Sequence, residues 1–574
     1  MRSWIGVAPS THRPHEIRMQ PIRHAAIRTR RREACTARAT AIRERDMITR
    51  RTLLGTAFAA SAAGLYAPRL RASAPDTLRF ASAAGGPRSA DPAKTTQGSD
   101  NWAVIQMFEY LAQPPDGNFG VSPDDFTPGL ATSWTTSDDA KTWVFTLRQG
   151  VQFHHGYGEM TSADVARSFV RARDISVGSA NYTNIAEVIE SGKYEVTIVL
   201  KNPDPMFLGS TVAARHVMVI SKKAEEELGE GFATKPVGTG PYKLDRFDSE
   251  RGTYLSRHED YWGEPAIITN VECLYIADTT ARTLALISGD VDMAEGVRQP
   301  GWVPQIQAQK PDLLFDMTVP GSFNTLFFNL AKDPLQNIQV RKAIMHGINK
   351  QEIVDALQPM SRMVYTLNPP NYPTGFDLEE LPEDLRYEYD PDEAKRLLAD
   401  AGFANGLTIP VNTSQREDYS TQHLIIQEQL RQIGVTIDLT IMDHSAYHAT
   451  NRQNLNTLNI NSSSLPPVPL YVFNDYAVSA ANMKEDGSGG ANYSHYGVLM
   501  PGVDDLVAEM LQTTTFDDYV AKGREVELQI QRDLPMGGLP TLSYLVVRNP
   551  RIDLGYEVQG GYAYWRFCKA SIVG

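Results

Sequence analysis

The amino-acid sequence predicts an α/β protein built in more than one lobe. Strand-like and helical segments alternate along residues 75–574 without internal repeats or low-complexity tracts, the pattern of a layered α/β architecture. One stretch shows the unit: Ile426, Leu430 and Ile433 form a helical face, Gly434 closes it, and Val435, Ile437, Leu439 and Ile441 alternate as a strand. About 500 residues also exceed what a single hydrophobic core accommodates, so two or three lobes are expected.

The first 74 residues read as leader rather than fold. Thr49-Arg50-Arg51-Thr52 precedes an apolar, alanine-rich run from Leu53 to Tyr66 and the small-residue exit Ala72-Ser73-Ala74. An arginine pair, an apolar segment and a cleavage site make residues 47–74 a signal of the twin-arginine type. The run is shorter than the roughly 20 residues a membrane-spanning helix needs. Pro75 after Ala74 leaves the exact cut open. Residues 1–46 are arginine-rich and acid-poor, as transit peptides are. A twin-arginine signal works near an N-terminus, so they are expected to be an upstream extension, with translation starting at Met47.

Asn101–Leu111 reads as the first helix, with Val104, Phe108 and Leu111 on its apolar face and Trp102 and Tyr110 flanking it. Trp143, Phe145 and Leu147 then alternate with Thr142, Val144, Thr146 and Arg148 as a half-buried strand. Gly150 supplies a turn, and Val151 and Phe153 resume the alternation as a second strand. His154 and His155 follow. Neighbouring strand residues point to opposite faces, so this pair is expected to close a hairpin rather than chelate a metal. Thr161 and Asp164 have capping-box spacing at the start of the next helix. Asp390-Pro391-Asp392-Glu393 caps a later helix that Gly402 ends. Asn461–Asp475, with three prolines, reads as irregular, and Glu485–Gly490 as an exposed loop. Pro/Gly clusters at Pro114–Gly117, Lys235–Pro241 and Leu534–Gly538 are places where the chain crosses between lobes.

Composition excludes one class of partner. The chain carries a formal charge of −13, and the first 74 residues hold 15 of its 55 basic side chains but only 4 of its 68 acidic ones. The remainder is therefore near −24, which argues against nucleic acid and for a soluble monomer. Cys273 and Cys568 are the cysteines beyond the leader, enough for one bridge if they are neighbours, which the sequence leaves open. No cysteine follows the apolar run to carry a lipid. No G-x-S-x-G, H-E-x-x-H, paired C-x-x-C or G-x-x-x-x-G-K occurs, and Gly238-Thr-Gly240 falls short of a dinucleotide fingerprint. Nothing local asks for catalysis, a cofactor or a metal; a dispersed catalytic triad stays open.

Leu130-Ala-Thr-Ser-Trp134, Trp143 to Gly156 and Thr161-Ser-Ala-Asp-Val165 together resemble the signature of the family 5 extracellular solute-binding proteins. These are the oligopeptide, dipeptide and nickel receptors of ABC importers. The likeness continues in order through Pro236–Tyr242, Tyr261-Trp262-Gly263, Leu286–Asp292, Phe327–Leu330, Val340–Ala343, Tyr389–Pro391, Leu397–Gly402 and Leu430–Gly434. It implies a class II periplasmic binding protein fold: two lobes joined by a two-stranded hinge, plus an extra third lobe. Lobe I is expected at 75–118, 236–325 and 536–574, the extra lobe at 119–235 and lobe III at 326–535. The implied function is capture of a peptide or peptide-like solute in an interlobe cleft and delivery to the inner-membrane permease, with no catalytic group and no cofactor.

Three regions resemble cleft segments of relatives. Asn181 and Tyr182 stand where relatives present an aromatic to the ligand. Arg215 stands where the nickel-receptor branch carries an arginine, whose fork suits a ligand carboxylate; a plain surface arginine is the alternative. The stretch Leu458–Pro467, containing Asn461, departs from the peptide receptors by lacking their Gly-Trp and the acid that pairs with a peptide's α-amino group. Asp475 is either a substitute for that acid or the cap of the following helix, and Tyr471 or Tyr476 is placed to stack. Trp102 either faces the cleft or packs with its helix. The departure leaves a non-peptide solute open: an opine, another amino-acid conjugate or a metal chelate. A secreted hydrolase is the rival from another class, disfavoured by the missing motifs.

Overall fold

The computed structural model describes residues 76–95, 98–484, 490–561 and 565–573. The extension, the signal and most of the Glu485–Gly490 loop lie outside the described residues. Among these residues the largest element is a nine-stranded mixed sheet. Its main path runs Leu458–Ser463, Leu314–Phe328, Met536–Arg548, Met293–Glu295, Thr77–Ser82, Asn270–Tyr275, Gly252–Arg257, Tyr242–Asp248. Thr77–Ser82 is buried throughout, between two parallel neighbours, as a central parallel strand must be.

Two strands of this sheet are unusually long. Leu314–Phe328 and Met536–Arg548 pair antiparallel from Leu314 opposite Arg548 to Phe327 opposite Met536. Between Thr318 and Asn324 the register slips, and Gly321 there has φ +74°, with the space a Cβ would fill taken by the Leu542 carbonyl. Only glycine satisfies both conditions. The boundary expected at 325/326 falls inside the first of these strands, and that at 535/536 just before the second.

A separate four-stranded antiparallel sheet has the order Ala131–Thr136, Thr142–Leu147, Glu195–Leu200, Ile185–Gly192. Trp143, Phe145 and Leu147 are buried as the alternation requires. Helix Ser162–Ile175 packs on this sheet, opened by the expected capping box, in which Thr161 N donates to Asp164 Oδ2 at 2.9 Å. The second strand expected after Gly150 does not form. Gln152 makes a lone bridge to Glu159, Phe153 N turns back to the Gly158 carbonyl, and His154 N donates to the Gly238 carbonyl at 3.0 Å. The chain leaves the sheet because its backbone is claimed by the Lys235–Pro241 cluster.

His154 completes that junction. It is fully buried, its Nδ1 accepts from Gly238 N at 3.3 Å, and Nε2 therefore donates to the Gly240 carbonyl, 2.9 Å away. Burial pushes its pKa down to about 3, so it stays neutral. It clamps two backbone segments.

The remaining expectations divide. The helix–glycine–strand unit is present as Glu417–Gln432, Gly434 at φ +89° and Val435–Met442, the last pairing in parallel with Leu407–Ser414. Helix Pro391–Asp400 is capped by Asp390, which accepts from Asp392 N and Glu393 N at 3.1 and 2.9 Å. The first helix stops at Met107 rather than Leu111. Backbone groups of Met107, Glu109, Tyr110 and Leu111 are taken instead by Gly240, Val219, Leu130 and Gly129. The stretch Asn461–Asp475 is more regular than expected, continuing a strand to Ser463 and forming helix Pro469–Tyr476 with proline at its first turn. Cys273 and Cys568 are both free thiols.

Candidate functional site

A cavity of about 770 Å³ lies where these units meet. Its walls come from distant parts of the chain: Phe119 and Phe126; Asn181, Tyr182 and Arg215; Glu295 and Arg298; Arg416 to His448; Asn461 to Tyr471; and Tyr544, Trp565 and Arg566. That size and a lining that mixes aromatic rings with many charged and polar side chains suit a small polar ligand.

Five of the residues singled out in the sequence share this cavity: Asn181, Tyr182, Arg215, Asn461 and Tyr471. Asn181 is exposed, and Tyr182 is buried with its Oη 3.1 Å from His216 Nδ1. Burial, helped by the neighbouring Arg215, pushes His216 down to about 4, which keeps it neutral. Arg215 is half-buried. Asn461 Nδ2 donates to Tyr476 Oη at 3.0 Å. Tyr471 Oη donates to the Ser210 carbonyl and so ties helix Pro469–Tyr476 to the turn Leu208–Val212.

The other three do not line the cavity. Trp102 is 1% exposed, stacks between Phe80 and Phe567, and donates Nε1 to Glu295 Oε1 at 2.8 Å. It stands behind the wall that Glu295 and Trp565 present. Tyr476 points into the core, edge-on to Phe327 at 5.3 Å. Asp475 is half-buried within helix Pro469–Tyr476, and burial pushes it up to about 6. It does not cap the next turn, Ser479–Ala481, whose N-cap is Val478.

Charges in the wall are unevenly matched. Arg566 pairs with Asp116, 2.7 Å apart, and Lys569 joins them. Arg416 forks onto Asp418 at 2.7 and 3.1 Å. Glu295 receives Trp102, Ser99 and the Ala83 amide, and burial raises its pKa. Each lining carboxylate thus has its own donors. Arg298 and Arg215, by contrast, have no carboxylate partner among the described residues. Arg298 donates Nη1 to Ser322 Oγ at 2.8 Å and lies 4.8 Å from the Tyr544 ring centroid.

One nucleophile–base pair touches the site. Ser414 Oγ lies 2.9 Å from His444 Nδ1. Ser414 is fully buried, its Oγ already accepts from Arg416 N, and the far nitrogen of His444 faces the Arg416 guanidinium at 3.5 Å. A catalytic dyad needs an exposed hydroxyl and an acid on that far nitrogen; this one is a turn cap. No cluster of three or more His, Cys, Asp or Glu suited to a metal occurs among the described residues.

Arg298, Arg416, Tyr419, His444, His448, Tyr544 and Trp565 escaped sequence reasoning. Only His444 and His448 left a signal, since an i, i+4 pair shares one helix face; their rings stand edge-on at 4.5 Å.

Comparison with known proteins places this architecture. The chain is 30% identical over 351 residues to the nickel-binding periplasmic protein of Escherichia coli (strain K12), covering 57% of this chain and 65% of that protein. It is 27% identical over 395 residues to the di/tripeptide-binding protein 1 of Pseudomonas aeruginosa (strain UCBPP-PA14), covering 63% and 71%. Among solved structures, MoaA from A. tumefacien R10 in complex with mannopinic acid has a TM-score of 0.73 at 25% identity, with 87% of this chain and 100% of that chain covered. DppA from Helicobacter pylori in complex with peptide STSA has a TM-score of 0.69 at 24% identity, with 87% and 98% covered. The fold is thus that of periplasmic binding proteins, as expected. The model of the bacterial extracellular solute-binding proteins, family 5 Middle, matches residues 125–483. Together with a cavity walled by all parts of the fold, this match over more than half of the sequence makes the chain a member of the bacterial extracellular solute-binding proteins, family 5.

Proposed function

We propose that this chain is the receptor of an ABC importer. It captures a small peptide or peptide-like solute in the cavity and delivers it, unchanged, to the permease subunits at the inner membrane. The observation that carries this reading is the cavity itself, about 770 Å³ and closed by residues from segments hundreds of positions apart. A ligand in such a place is gripped by both sides and favours the closed arrangement by its differential affinity. The family and the relatives named above support the same reading. Within it, Asn181, Tyr182, Arg215, Asn461 and Tyr471 contact the solute, while Trp102, Asp475 and Tyr476 support the wall. The protein works as a monomer in the periplasm, exported through the twin-arginine signal at 47–74, and its lobes divide as the sequence suggests.

A second reading, a non-peptide acid such as an amino-acid conjugate, is favoured by one feature. Of the lining carboxylates, Asp116 and Asp418 are already paired with Arg566 and Arg416, and Glu295 is filled by Trp102, Ser99 and the Ala83 amide. Native mass spectrometry of protein purified without refolding, followed by a panel of peptides and conjugates, tests both. Solute recovered intact, with a thermal upshift that follows mass action, supports the receptor. Steady product formation overturns it in favour of a hydrolase.

A further inference from the structure

Resting on the receptor reading, we propose that the solute carries two acid groups, one held by Arg215 and the other by Arg298. Four arginines line the cavity. Arg416 and Arg566 are occupied by Asp418 and Asp116. Arg215 and Arg298 are the two that no carboxylate neutralises among the described residues, and they stand on different walls. Arg215 opens the turn Arg215–Val217 beside the four-stranded sheet unit, and Arg298 follows strand Met293–Glu295 of the large sheet.

Arg298 has the geometry of a prepared anion receptor. Its guanidinium lies over Tyr544, which fixes its plane, and spends one donor on Ser322 Oγ. A guanidinium has five N–H donors in a rigid fork matched to a carboxylate. Half-buried against an aromatic wall, it keeps its remaining donors for an anion that enters the cavity. Ser322 and Tyr544 both belong to the long strand pair, so this anchor is seated on the large sheet itself. Ser464 Oγ is hydrogen-bonded to Tyr544 Oη, which ties the ring beneath Arg298 to the Asn461–Tyr471 wall.

The test uses the full exported protein. Isothermal titration measures binding of N-succinyl-amino acids and of their two mono-amides, in which one acid or the other is capped, alongside the solute that mass spectrometry finds retained. Wild type is compared with Arg298→Ala, Arg298→Lys and Arg215→Ala, each checked by thermal melting. The expected result is a loss of at least tenfold on capping either acid in wild type. Arg298→Ala should erase the discrimination against one mono-amide and Arg215→Ala that against the other. Arg298→Lys, which keeps the charge but not the fork, should recover part of the affinity. A retained or captured solute with fewer than two acid groups, bound equally by wild type and Arg298→Ala, overturns the proposal and leaves the receptor standing. A folded wild type that neither retains nor captures any solute removes both.

Discussion

Tyr471 and Ser210 close one side of the cavity: the phenol donates to a backbone carbonyl 261 residues earlier in the chain. Met206, beside Ser210, is fully buried in the same core as Val472 and Phe473. The contact is therefore a hydrogen bond seated on an apolar plug. Tyr471→Phe keeps the ring and removes the bond. A net contribution of about 0.5–1.5 kcal/mol predicts a roughly two- to thirteenfold weaker Kd for the retained solute by isothermal titration, with little change in the melting temperature of the unliganded protein. An unchanged Kd would show that this bond does not support the closed cavity.

His154→Ala removes a clamp and leaves the Gly238 amide and Gly240 carbonyl facing a void. A loss of about 2–4 kcal/mol in urea denaturation is expected. The pH dependence has a definite sign. With its folded pKa near 3 and its ordinary value at 6.5, His154 supports the fold fully above pH 6.5 and loses that support as pH falls toward 3. The stability gap between wild type and the variant should narrow on acidification, and chelators should leave the melting temperature unchanged.

Glu527 behaves in the opposite sense. Its buried carboxyl accepts from the amides of Leu367 and Asn368 at 3.1 and 3.2 Å and from Asn368 Nδ2, yet burial pushes it up to about 8. Its contribution is full below pH 4.5 and is lost as pH rises through 8. Glu527→Gln turns an amide NH₂ toward donors and should cost about 1–3 kcal/mol near pH 5. Melting curves from pH 5 to 9 should show wild type losing its advantage over the variant. A gap that widens with pH would contradict the raised pKa.

Arg341 is 1% exposed, and its side chain donates to the carbonyls of Leu335, Gln336, Asp533 and Leu534 at 2.7–2.9 Å. Burial lowers its pKa to about 10. A lysine carries three donors on a flexible stem and cannot reproduce the fork. Arg341→Lys should lose about 3 kcal/mol, within the range for breaking buried polar networks, as read from the denaturation midpoint at constant m-value.

What the sequence revealed and what it hid follow from distance along the chain. The unit from Glu417 to Met442 and the Thr161–Asp164 cap were legible because periodicity and capping are local. Phe108–Leu111 kept a helical pattern and still left the helix, because Val219, Leu130 and Gly129 compete for its backbone from remote positions. Pro466, Pro467 and Pro469 suggested irregularity, although proline is at home in a first helical turn. Had helix Pro469–Tyr476 been foreseen, Val472, Phe473 and Tyr476 at one-and-four spacing would have marked the buried face and sent Tyr471 toward the cavity. Arg298 was invisible for a different reason. Its surroundings are made by Ser322 and Tyr544, and nothing in Gly296-Val297-Arg298-Gln299 announces them.

One core joins stretches of chain that lie far apart in the sequence. Phe567 stacks on Trp102 at 5.9 Å, and Gln106 donates to the Trp565 carbonyl and accepts from Phe567 N. The core that begins with strand Thr77–Ser82 is therefore roofed by residues 459 and 461 positions further along the chain than Gln106, which holds them. Trp102 thus owes its dry surroundings to two stretches of chain that meet only when the intervening lobes have folded between them.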